Sequence, residues 1–579
     1  MIARLIRGRD PAPVVAAIVS LLAVAPLLDG RFATSDAARR DLAVLIAVDA
    51  AFRDGGFWPR WAADALGGSG YPLFTVVPPL PYLVAEAFVL AGLGFVSALK
   101  AALALAMVAS AVAMALLGRR LYGPAAGLVA GVVFVFLPVH LGAMLERAAL
   151  ADLVALVWLP LVLWSLLGLE GGDRWSMGAR WVSAPAIALA GVAMAGAVVS
   201  APVLAGLFAP LVAVFAAWRL LEARARGLAI APLVGRLGGA LALGAGLSAI
   251  WWLPLGAEFP ALTQTWPVAN VSAAPGELVH PVQLLAPYRD ARGGVATEPV
   301  LGLHLGVVAL GLGGFALVGS PLSLPRRARR AALVFALMTG GLAALATPLA
   351  APVWAVAPQG ALLASPWHVL VVAMVPLAAL AGAAVAGLEE RFGDPLAALR
   401  TVLPLLVVAV VASWMLLRVD ATPIEASAAS PRLVAEAAVV VPDRSTPAIG
   451  RESPLLGPYR RGEAPQRWRL ADPLAGQIEQ TRAAGASSEA RVRLPTGGRV
   501  IFETTDYPGW TVRVDGRVVD HLRLPPLGVI AVDVPPGDHV LSARFESTPA
   551  HLFAGAVSLL SLALAVGLLV VRRRHGASA

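Results

Sequence analysis

About twelve apolar stretches long enough to cross a bilayer recur along the chain, and they restrict it to one class of fold. They lie at 11–28, 97–117, 123–139, 149–168, 183–199, 201–217, 237–254, 301–318, 331–349, 367–387, 400–417 and 552–571. In hydrocarbon every backbone N–H and C=O has to be satisfied within the segment, so runs of this length become helices. A charged fraction of 14% and a mean hydropathy of +0.77 agree, since soluble domains carry about 25% charge.

The net charge of +9 resembles a nucleic-acid signal until its distribution is read. The arginines sit in short clusters between apolar runs, which is the positive-inside pattern of a membrane protein and not a nucleic-acid interface. With the N-terminus in the cytoplasm, Arg119-Arg120, Arg174 and Arg180, Arg219 to Arg236, Arg326 to Arg330, Arg391 and Arg400, and Arg572 to Arg574 all fall inside. Both termini are then cytoplasmic. The run at 11–28 follows Arg4, Arg7 and Arg9 and could be a signal peptide, but this topology needs it as an uncleaved first helix. The 78–94 stretch must stay outside, and its prolines, Tyr82 and Glu86 suit an interfacial helix. The chain has no cysteine, hence no disulfide and no thiolate metal site. No internal repeat stands out, which weighs against a transporter built from two related halves.

The outside carries three long loops, 29–96, 255–300 and 418–550. Residues 1–417 are expected to form the transmembrane domain, 418–550 an external domain, and 551–579 a last span with a basic tail. From about 490 to 550, alternating stretches such as Val500 to Thr505 and Val540 to Glu546 are separated by turns such as Asp515-Gly516. That pattern predicts a small antiparallel β-sandwich behind an irregular Pro/Ala/Arg-rich lead.

Candidate chemistry gathers on the same face. Asp36 lies about seven residues past the first span, at headgroup depth, where a carboxylate can take a proton from an acceptor hydroxyl. A phosphate leaving group needs positive charge, for which Arg39, Arg40 and Arg147 are candidates. On these residues alone, a second reading is that Asp36 caps a helix starting at Ala37. Asp41, Asp49 and Asp54 read as solvated helix faces. Glu146, Arg147 and Asp152 sit at the next external turn, either as an ion pair that fixes it or as an acidic and basic site facing a cavity. His280, Tyr288, Arg289, Asp290 and His304 fall in or near the 255–300 loop, and Ser365-Pro366-Trp367-His368 lies at the mouth of the tenth span. No phosphate loop, zinc spacing or serine-nucleophile motif is present.

The first-loop order, Asp36, Trp58-Pro59-Arg60-Trp61, Gly70-Tyr71-Pro72-Leu73-Phe74 and Pro78 to Tyr82, resembles bacterial membrane proteins labelled "6-pyruvoyl-tetrahydropterin synthase-related" and the YfhO-like group. The resemblance continues through Glu146-Arg147-Ala148 to Asp152, Trp252-Leu253-Pro254, Ser365 to His368, and Tyr507-Pro508-Gly509-Trp510 with Val514-Asp515-Gly516. That group is similar to the GT-C fold of polytopic glycosyltransferases that use polyprenyl-phosphate sugars. The resemblance implies an inverting transferase in a bacterial inner membrane, with a polyprenyl-phosphate sugar donor and a glycan or lipid acceptor. It implies Asp36 as catalytic base. Arg39, Arg40, Arg60, Tyr71, Glu146, Arg147, Asp152, His280, Trp367 and His368 would then bind substrate. Metal use varies among such proteins, so a divalent metal is open. The sequence departs from the pattern where Arg40 stands for a common His, Asp152 for a Glu, and His368 for an Arg. A lipid-linked glycan flippase and a non-catalytic scaffold for cell-envelope glycan assembly are the rival readings.

Overall fold

A described helix falls on each of the twelve apolar runs, although on the run at 301–318 it is Val307–Val318 alone. The structure, a computed structural model, describes residues 11–29, 32–33, 35–54, 58–169, 184–265, 278–285, 304–318, 324–356, 366–416, 421–422, 431–436, 453–463, 465–525 and 528–575. The readings placed on Arg174, Arg180, Tyr288, Arg289, Asp290 and Ser365 lie outside them, as does the side chain of Asp36. Seven of the described helices are long and apolar enough to cross a membrane, and a bent pair makes an eighth. Others, such as Leu150–Leu166 and Ala184–Ser200, are apolar but shorter. The chain is a multi-pass membrane protein.

The bent pair is Pro124–Val135 and Pro138–Leu145, which meet at 47°. Pro138 has no N–H to continue the first helix, and it drives Leu137 to an extended ψ of 132°. The carbonyls released at the break find other donors. His140 Nδ1–H donates to Phe134 O (2.9 Å), and Ser413 Oγ donates to Phe136 O (2.9 Å). At the centre stands His368–Phe392, whose apolar window is buried throughout. Its small residues allow close approach: a Cβ at Gly382 would lie 2.8 Å from Ala126 O. The last helix, Pro549–His575, packs on Ile230–Thr265 and leaves Leu552, Leu559 and Leu560 exposed.

Pro79–Leu90 has 12 residues, about 18 Å of helix, too short to span. It packs against Asp36–Arg53 and buries Tyr82 and Glu86.

A short antiparallel pair, β1 Phe32–Ala33 and β2 Ala421–Thr422, precedes the β-sandwich. The sandwich strands are β3 Trp468–Leu470, β4 Gln477–Ala484, β5 Ser487–Leu494, β6 Gly498–Thr505, β7 Trp510–Val514, β8 Arg517–Val519, β9 Leu522–Leu524, β10 Val529–Val534 and β11 Gly537–Phe545. One sheet has the order β3-β6-β10-β9 and the second the order β4-β5-β11-β7-β8. Pairing is antiparallel, as in β11 against β5, where Leu541 faces Ala490. The sheets begin at Trp468, earlier than the 490 expected, because β3 is an edge strand of three residues and β4 an edge strand with Ile478 as its one large apolar residue. An edge strand of that composition has no hydrophobic period to detect.

Candidate active site

The first-loop helix, Asp36–Arg53, begins with a cap supplied by Ser35, whose Oγ accepts the Ala38 N–H at 3.1 Å. The helix thus starts at Asp36 and not at Ala37, and the capping task belongs to Ser35. The same hydroxyl donates to Arg147 O at 2.6 Å, across 112 residues of chain. That bond sets the start of the first-loop helix against the turn after Pro138–Leu145.

Within this turn Ala148 takes a left-handed φ of 48°, an unfavourable conformation for a residue with a Cβ. Arg147 Nη2 lies 3.2 Å from Asp152 Oδ2, with the two side chains 11% and 14% exposed. The Arg147 guanidinium sits 4.5 Å from the Trp367 ring centroid, a cation–π contact, and Trp367 stacks on His368 at 3.8 Å. Glu146 is half-buried in the turn. Arg39 is exposed, and Arg40 Nε stands 3.9 Å from Asp41.

Asp41 corrects the sequence reading. It was expected on a solvated face and is 2% exposed. Its Oδ1 accepts the Tyr82 hydroxyl (2.8 Å) and its Oδ2 accepts the Leu150 N–H (2.9 Å). Burial raises its carboxyl above the usual range, with Arg40 opposing. Asp49 is also buried, paired with Arg53 Nε at 3.0 Å. Asp54 is exposed as read, and its Oδ2 accepts the Gly485 N–H at 2.5 Å.

Arg60 and Tyr71 stand apart from this group. Arg60 Nη1 donates to Glu546 O (3.2 Å) and Ser547 Oγ (3.1 Å), and its guanidinium lies 4.8 Å over Phe545. Tyr71 is 0% exposed, and its backbone bridges Ala62. Between them Trp61 packs 4.9 Å from Phe545 and edge-on to Trp510 at 5.3 Å. Arg467 donates to Ala63 O, Gly68 O, Asp64 Oδ1 and Tyr459 Oη, and the Thr505 N–H donates to Ser69 O. The Trp58–Pro72 block is therefore the seam between first loop and β-sandwich. Its aromatic residues fill an interior, with Trp61 and Tyr71 buried, and Arg60 and Tyr71 lie here and not beside Arg147. His280 caps the short Pro281–Leu284 turn at the end of Arg326–Ala346, where the Val279 N–H donates to Ala346 O.

A second polar group escaped the sequence. Thr548 donates to Glu258 Oε1 at 2.7 Å, His551 Nδ1 lies 3.1 Å from the same oxygen, and His551 Nε2 is 3.3 Å from Thr75. Glu258 and Thr548 are 290 residues apart, so no local signal links them. Among the described residues, no three His, Asp or Glu side chains converge as metal ligands.

No family model matches the chain, and no curated protein matches it. Several solved structures superpose loosely. ArnT from Cupriavidus metallidurans, bound to undecaprenyl phosphate, is 15% identical with a TM-score of 0.42, over 66% of this chain and 62% of that one. The arabinofuranosyltransferase AftD from Mycobacteria is 17% identical with a TM-score of 0.41, over 72% of this chain and 29% of that one. The oligosaccharyltransferase AglB from Archaeoglobus fulgidus, with an inhibitory peptide and a dolichol-phosphate, is 14% identical with a TM-score of 0.41, over 69% and 56%. The chain spans less than two thirds of each of them, and a likeness this loose transfers neither family nor activity.

Proposed function

We propose that this protein is a membrane glycosyltransferase of the GT-C type, moving a sugar from a polyprenyl-phosphate donor to a glycan or lipid acceptor outside the cytoplasm. The observation that carries the reading is the Ser35–Arg147 bond. It joins the helix that begins at Asp36 to the turn bearing Glu146, Arg147 and Asp152, with Trp367 beneath the guanidinium.

In this reading Asp36 takes the proton of the acceptor hydroxyl as its oxygen attacks the anomeric carbon. The bond from that carbon to the phosphate oxygen breaks, and its electron pair leaves with the polyprenyl phosphate. Attack opposite the leaving group inverts the configuration. Arg147 stabilises the departing phosphate, and its stacking on Trp367 keeps the cation in place before charge develops. Arg39 and Arg40 add positive charge at the same helix start. Asp152 holds the guanidinium until phosphate competes for it. His368 orients Trp367 by stacking on it.

The test is transfer by purified protein in lipid, supplied with a polyprenyl-phosphate sugar and an acceptor. Asp36→Ala should abolish transfer, and Arg147→Ala should lower it roughly 10²–10³-fold. Full activity in Asp36→Ala would falsify the base assignment. Sugar movement across liposomes without bond formation would favour a flippase.

A further inference from the structure

We infer that Asp41 is a positioning residue of the proposed site: it caps the Leu150–Leu166 helix from another segment and thereby aims Arg147. The inference rests on the transferase reading for its functional half alone.

A helix leaves its first backbone N–H groups unpaired, and a Ser, Thr, Asp or Asn just before it commonly supplies the acceptor. The residue in that place is Ala149, which has no side-chain acceptor. Asp41 fills the gap across 109 residues of chain, its Oδ2 accepting the Leu150 N–H at 2.9 Å. A carboxylate is also the favoured group beside the positive end of a helix dipole. The second oxygen is held by the Tyr82 hydroxyl at 2.8 Å, which fixes the carboxylate's rotation. With both oxygens engaged and 2% exposure, Asp41 does not touch substrate.

The turn is thus clamped at two points by one helix. Ser35 holds the Arg147 carbonyl and Asp41 holds the Leu150 N–H. Between them stands the left-handed Ala148, a conformation that persists only where its surroundings impose it. Releasing one clamp lets Ala148 relax, which swings Arg147 off Trp367 and Asp152.

Two readouts test this on the full-length protein in lipid nanodiscs. Hydrogen exchange follows the amides of the 147–153 segment. Asp41→Ala should speed them roughly tenfold, the size of a lost helix cap, and Asp41→Asn, which keeps one acceptor, should speed them less. In the transfer assay Asp41→Ala should lower kcat at least tenfold with little change in acceptor KM. In an Arg147→Ala background the same substitution should add less than twofold, because it acts through Arg147. Should Asp41→Ala fail to fold, Asp41→Asn and Tyr82→Phe carry both measurements. Exchange within threefold of wild type, or losses that multiply in the double variant, would overturn the inference. A wild type with no transfer activity overturns the proposed function instead, since the exchange arm needs no substrate.

Discussion

Replacing Arg467 tests whether the Trp58–Pro72 block is a structural seam. The Arg467 residue is 5% exposed, and its guanidinium makes four bonds to the first loop and its neighbours. Nη1 reaches Ala63 O (3.1 Å) and Gly68 O (3.0 Å), while Nη2 reaches Asp64 Oδ1 (3.0 Å) and Tyr459 Oη (3.1 Å). Removing the side chain strands two carbonyls and leaves Asp64 with the Tyr459 hydroxyl but no cation. Asp64 is 31% exposed, so water recovers part of its solvation. Breaking a fully buried ion pair costs about 3–5 kcal/mol, and that partial exposure points to the lower end. A cost of about 3 kcal/mol is a change of roughly a hundredfold in the opening equilibrium. The amides to watch are Thr505, which donates to Ser69 O, and Gly67, which donates to Ala435 O. In Arg467→Ala both should exchange with solvent roughly a hundredfold faster than in wild type. Arg467→Lys should do nearly as badly, because a single ammonium cannot span four acceptors. Exchange within fivefold of wild type in Arg467→Ala would refute the reasoning and shift the seam's stability onto its other ties, the aromatic contacts of Trp61 and the Arg60 bonds to Glu546 O and Ser547.

Three further outcomes follow from other parts of the molecule. Gly70→Ala should destabilise by about 2–5 kcal/mol, combining a left-handed backbone with overpacking: φ is +83°, and the added Cβ would lie 2.4 Å from the Trp61 ring. A melting temperature equal to wild type would contradict this. Lys100, the chain's only lysine, donates to Asp29 O at 2.5 Å on the β-sandwich side, so a membrane-impermeant amine reagent should modify it in intact cells. Modification confined to lysed cells would reverse the topology. The hydrogen bond from His539 to Asp515 holds the imidazole above its usual 6.5 and the carboxyl below its usual 3.8. The His539 contribution is full below the unfolded histidine value and fades as pH rises through the folded one, while the Asp515 contribution is lost as pH falls through its own depressed value. His539→Gln should therefore lower the melting temperature at pH 6 and not at pH 9, and an equal loss at both would count against the pair.

The membrane architecture was legible because a bilayer enforces a period and a length that composition alone reveals. Helices stand over the run at 367–387 and over the run at 123–139, where even the bend is written as Leu137-Pro138. The β-sandwich was legible where strands bury one face, as in β5 and β7, and illegible where β4 lies at an edge. The seam was illegible for a different reason. Trp61, Arg60 and Tyr71 are the residue types found at a headgroup interface, and they are equally the types that fill an interior between two domains. Only the partner decides, and the partner is Trp510 and Phe545, hundreds of residues later.

Asp41 shows what local reasoning could have recovered. Residues 41 to 49 are all buried, Ala43, Val44, Ile46 and Ala47 included, so beyond its first turn the first-loop helix is enclosed on every face. Asp41 opens that stretch, and a carboxylate on an enclosed helix needs donors brought to it from elsewhere. The unbroken apolar run Leu42 to Val48 beside it therefore announced a buried acid, although it could not name Tyr82 or the Leu150 N–H. The missing cap at Ala149 announced the converse, a helix start without an acceptor. Neither signal is decisive alone. An orphan acceptor on one segment and an orphan helix start on another satisfy each other at little cost, and that pairing places the Arg147 turn beside the helix that opens with Asp36.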